Sequence, residues 1–77
     1  MLSTVRIAPD ARKHGIDDDD ILHAVRNRMF QAIGNDDLAM FIGPARNATL
    51  LEIGVLDAHS DDPVVIHADK ARDKFLR

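Results

Sequence analysis

The chain has 77 residues, which is room for one core and no second domain, and a domain of this size buries only about 60% of the surface its unfolded chain exposes. A hydrophobic fraction of 45% with 30% charged residues excludes disorder, and the absence of cysteine excludes disulfides, thiolate metal sites and a thiol nucleophile. The net charge of −3 runs against a stand-alone nucleic-acid binder, yet the charges are segregated, with aspartates from Asp17 to Asp20 and cations Lys70, Arg72, Lys74 and Arg77 in the tail.

Met1 to Ile7 lacks the apolar stretch and cleavage pattern of a signal peptide, and no run approaches the roughly 18 apolar residues of a membrane span. The expected compartment is therefore the cytoplasm, and no membrane partner is expected. Nothing reads as a linker or a repeat, so residues 1–77 are expected to form a single small α+β domain.

In chain order, a short first helix is expected from Pro9 to His14, with proline tolerated in the first turn and Gly15 as the stop. Asp17 is a good N-cap, and Asp18 to Asp20 then fall where the helix dipole favours carboxylates. Four adjacent aspartates do not have the alternating ligand spacing of a calcium loop. Ile21, Leu22, Val25, Met29, Ala32 and Ile33 recur at helical spacing, which predicts a second helix from about Asp18 to Ala32. Gly34-Asn35-Asp36-Asp37 breaks it.

Three strands follow, Leu38–Ile42, Ala48–Leu56 and Val64–Ala68, joined by turn-rich segments. A tail helix is expected from Asp69 to Leu76, capped by Asp69. The predicted order is α-α-β-β-β-α, a three-stranded antiparallel sheet with the helices mainly on one face.

Strand alternation places Leu51, Ile53 and Val55 toward the helices and Glu52 away from them. In the last strand Val64 and Ile66 are expected inward and Val65 and His67 outward. Glu52 and His67 then share one open face as general base and general acid, with Arg46 from the hairpin and Lys70, Arg72 and Lys74 from the tail as cations for a phosphate. Plainer readings exist for each: a solvated or ion-paired strand glutamate, a histidine bonded to backbone, and tail cations that complement a helix terminus. His14 before Gly15 reads as a helix C-terminal histidine. The four histidines show no i, i+4 pair, so no metal site and no cofactor are expected.

The stretches Ala11-Arg12-Lys13-His14-Gly15-Ile16 and Asp20-Ile21-Leu22-His23-Ala24-Val25 resemble the opening of BrnT-like small toxins. Phe41-Ile42-Gly43-Pro44 with Leu50-Leu51-Glu52-Ile53-Gly54-Val55 is similar to their middle, and Val65 to Leu76 to their closing strand and helix. The resemblance implies a fold of the RelE-like ribonuclease toxins, RNA as substrate, and a small antitoxin protein as partner. It implies an active set of Glu52 and the basic residues around the last strand and helix, with the family's catalytic arginine carried over only to Arg72. Together with the open-face reading this makes Glu52, His67 and Arg72 the expected catalytic residues and Arg46, Lys70 and Lys74 the expected substrate-binding ones. The chain departs from the family at Asp69, where an arginine is more usual, and in its acidic charge. The competing expectation is a non-catalytic interaction or regulatory module that binds a protein partner. A homo-oligomer is a second way to ease the limit set by so small a core.

Overall fold

The structure is a computed structural model that describes residues 5–34 and 37–72. It is α+β: β1 (Arg6–Ile7), a 3₁₀ turn (Pro9–Arg12), α1 (Asp18–Arg26), β2 (Phe30–Gly34), β3 (Leu38–Pro44), β4 (Leu50–Leu56) and β5 (Val64–Lys70). The strands form one five-stranded mixed sheet in the order β1-β5-β4-β3-β2. The pairs β2–β3, β3–β4 and β4–β5 are antiparallel, and β1 runs parallel to β5. Among the described residues no helix is long and apolar enough to cross a membrane.

The α+β class agrees with the sequence, but the three-stranded antiparallel sheet and the helix count do not. The second helix stops at Arg26, where Asn27 donates from both its backbone N and its Nδ2 to the His23 carbonyl at 3.0 and 2.9 Å. Met29 N already donates to Ile42 O at 2.7 Å, and Phe30–Gly34 continues as a strand against β3. Ala32 and Ile33 therefore belong to β2, and Met29, in the connection before it, is 61% exposed instead of buried.

The first helix shortens to one 3₁₀ turn. β1 escapes notice because it is two residues long and held by distant partners, Arg6 N to Pro63 O and Ala8 N to Val65 O. Asp69 is not a helix cap: it lies in β5 opposite Glu52, and the ladder runs on through Ala71 N to Leu50 O. The rest of the predicted tail helix, with Lys74, Phe75 and Leu76, lies outside the described residues.

Asp17 caps α1 by accepting from Asp19 N at 3.0 Å. The helix packs on β3 and β4, and the 3₁₀ turn on β5. Ile21, Ala24 and Val25 meet Ala39 and Phe41 of β3, Leu51, Ile53 and Val55 of β4, and Val65 and Ala68 of β5 in one core. The approach of α1 to β3 is close because position 43 has no side chain. A Cβ on Gly43 would lie 2.2 Å from the Ala24 carbonyl oxygen.

Candidate functional site

The site is built on the sheet face turned away from α1. Glu52 of β4 pairs with Asp69 of β5, and Gly54 with His67. Simple alternation from Val65, which is buried in the core, would turn His67 inward. A β-bulge between the Val65 and His67 positions reverses the phase, so Val65 faces α1 while His67 faces the same way as Glu52. The expectation that Val64 and Ile66 point inward fails for this reason; Val65 and Ala68 fill the core instead.

Glu52 is 1% exposed, and Ile42, its neighbour on β3, is fully buried, so the shared face is closed at this point. A buried carboxylate needs partners. His67 Nε2 donates to Oε2 at 2.8 Å, while Arg72 donates to Oε1 from its backbone N at 3.0 Å and its Nε at 2.9 Å. Burial pushes the Glu52 carboxyl up, but the hydrogen bonds from Arg72 and His67 outweigh it and hold the group below the ordinary carboxylate range.

A second imidazole joins the cluster. His14, in the turn after the 3₁₀ segment, sets its ring edge-on to that of His67, with centroids 5.8 Å apart and an interplanar angle of 78°. Its Nδ1 lies 3.6 Å from Asp69 Oδ2. Each imidazole thus has its own carboxylate, Glu52 for His67 and Asp69 for His14. The side chain of His67 is 28% exposed, which leaves it open to solvent where Glu52 is not.

Of the residues singled out in the sequence, Glu52, His67 and Arg72 come together. Arg46 does not join them. It ties the β3–β4 hairpin to the start of α1, donating from its backbone N and Nε to Asp20 Oδ1 at 3.1 and 2.8 Å and from Nη2 to Asp17 Oδ2 at 3.3 Å. The Arg46 side chain holds the Asp20 carboxyl below its ordinary range. Lys70 ends β5 opposite Leu51 and lines a separate pocket of about 190 Å³ with Gly15, Asp20 and Thr49. Lys74 lies outside the described residues. His14 is the addition that sequence reasoning missed. Its local signal, a histidine before a glycine stop, says nothing of a strand far along the chain. Among the described residues, no group of three or more His, Cys, Asp and Glu side chains is placed to hold a metal ion.

No family model, curated protein or solved structure matches this chain.

The Glu52 contacts make a prediction about stability. Hydrogen bonds to a charged group contribute about 1.5–3 kcal/mol, and Glu52→Gln is expected to lower stability at neutral pH by about that much. Because the folded carboxyl titrates below its usual 4.5, its contribution is present in full above that value and is lost as pH falls through the folded value. Chemical denaturation between about pH 6 and about pH 3 should show the native chain losing more stability than Glu52→Gln. Parallel curves would mean that the carboxylate is not held ionised by Arg72 and His67.

Proposed function

We propose that the chain is an endoribonuclease, the toxin component of a toxin–antitoxin pair, that cleaves RNA by general acid–base catalysis. The observation that supports this reading is the pair of imidazoles, His14 and His67, set edge to ring and each beside its own carboxylate. RNA cleavage needs one group to take the proton of the ribose 2′-hydroxyl and another to protonate the departing 5′-oxygen. The 2′-oxygen forms a bond to phosphorus as the P–O5′ bond breaks, which leaves a 2′,3′-cyclic phosphate and a 5′-hydroxyl.

His67 suits the role of base. Its Nε2–H is taken by ionised Glu52, which leaves Nδ1 with the lone pair. His14, its ring edge-on to His67 and its Nδ1 3.6 Å from Asp69 Oδ2, takes the remaining role of acid. Arg72 carries positive charge to the edge of the cluster, where its half-exposed guanidinium suits a phosphate. Glu52, buried and held ionised, is in this scheme a positioning residue instead of the base expected from the strand pattern. The resemblance to BrnT-like toxins is what points to RNA and to an antitoxin partner.

Purified chain incubated with single-stranded RNA should release fragments ending in 2′,3′-cyclic phosphate, and its induction in cells without the antitoxin should arrest growth. Absence of both sinks the enzyme reading. A non-catalytic interaction module would then take its place, and one observation already favours that alternative. Among the described residues every buried side-chain polar atom has a partner, so the cluster is also complete as a structural unit.

A further inference from the structure

The sheet has an open edge at β2, which pairs with β3 on one side and with no strand on the other among the described residues. An unpaired edge is a template for another chain, and proteins usually blunt it. Here the start of that edge carries the two most exposed large apolar side chains among the described residues, Met29 at 61% and Phe30 at 43%. They border a cleft of about 340 Å³ lined by Arg28, Met29, Phe30, Gln31, Phe41 and His59.

Four of the six arginines among the described residues are ion-paired. Arg6 pairs with Asp62, Arg12 with Asp18, Arg46 with Asp17, Asp19 and Asp20, and Arg72 with Glu52. Arg26 and Arg28 have no carboxylate partner among the described residues, although acidic residues outnumber basic ones 13 to 10 in the chain. The guanidinium of Arg28 is also fixed in place. Its Nη1 donates to Val25 O at 2.9 Å, and its Cζ sits 5.1 Å from the centroid of the Phe41 ring. An immobilised cation beside exposed Met29 and Phe30 has little conformational entropy left to lose on binding.

We propose that the outer edge of β2 is the docking site of a partner protein, which adds an extended acidic segment there as a further strand, its apolar side chains on Met29 and Phe30 and a carboxylate on Arg28. Main-chain pairing would supply affinity, and the cleft beside Phe30 with Arg28 at its rim would supply specificity. The bulge between Gln31 and Ile33 breaks the regular edge and limits such pairing to a short stretch at its start. Nucleic acid fits less well: a phosphodiester backbone cannot extend a strand ladder, and a net charge of −3 repels it.

The inference does not depend on the catalytic reading, and its test has no readout in RNA cleavage. The full chain, labelled for NMR, is titrated with an end-capped peptide of about six residues alternating glutamate and valine, and with its lysine counterpart. The expected result is perturbation and slowed hydrogen exchange of the β2 amides, with the glutamate peptide binding at least tenfold more tightly than the lysine one. Phe30→Ser, at an exposed position, should abolish the effect while the circular dichroism spectrum stays native, and Arg28→Glu should reverse the peptide preference. Equal binding of the two peptides, or no change at β2 at millimolar peptide, overturns the proposal. So does displacement of the glutamate peptide by an oligouridylate, which makes the surface a nucleic-acid site. Concentration-dependent dimerisation that Phe30→Ser abolishes overturns it as well, in favour of a second copy.

Discussion

Gly43→Ala should be among the most destabilising single-methyl changes available in this domain. The added Cβ would stand 2.2 Å from the Ala24 carbonyl oxygen, 3.0 Å from its carbon and 3.1 Å from Arg28 Cα. All three atoms are backbone, so no side chain can rotate away, and relief requires α1 to lift off β3. Overpacking of this kind costs about 3 kcal/mol or somewhat more. For a domain of this size that corresponds to a fall in Tm of roughly 12–24 °C. Two other glycines serve as controls. Gly15→Ala meets no atom within 4 Å but places alanine at φ +75°, which costs about 1–2 kcal/mol. A Cβ on Gly54 would meet Met40 Sδ at an ordinary 3.6 Å and His67 Cβ at 3.2 Å, an atom its own backbone fixes, so β4 and β5 must give by a few tenths of an ångström there. Thermal melts that rank Gly43→Ala level with Gly15→Ala would show that the helix is free to move.

The second large effect concerns rate. Under the proposed mechanism, His67→Ala and His14→Ala should each lower RNA cleavage by about 10²–10⁴-fold. The pH profile separates a catalytic from a structural role. One imidazole must be neutral and the other charged, so the native chain should show a bell-shaped dependence of kcat/KM. Removing the base should abolish the acidic limb, and removing the acid the alkaline one. The double variant should be little slower than either single one, because the two groups act as a unit. A histidine that only holds the fold would lower Tm and leave the shape of the profile unchanged. Added imidazole should partly restore cleavage by His67→Ala if the lost group was a proton acceptor.

Glu52 and His67 share a sheet face in the structure as in the strand pattern, but by a different route. Alternation along β4 is regular, so placing Leu51, Ile53 and Val55 on one side and Glu52 on the other needed only the pleat. Along β5 the pleat alone misassigns Val64, Val65 and Ile66. A bulge is a property of how two strands meet, and neither strand announces it. Burial of Glu52 was equally out of reach, because a strand glutamate looks the same in sequence whether water or Arg72 completes its bonds.

By itself the sequence determined the α+β class, the start of α1 at its aspartate cap, and β3, β4 and most of β5. These depend on local signals: a cap, a helical stripe, alternation between turns. Only the tertiary structure decided that Phe30–Gly34 is a strand, because the apolar spacing there suits either period and pairing with β3 breaks the tie. Tertiary structure alone also decided that two residues near the N-terminus join β5, that Arg46 serves the helix cap, and that His14 meets His67. Each of these is a contact between distant segments. The energy that selects such contacts resides in the packed whole, and no local stretch of the chain encodes it.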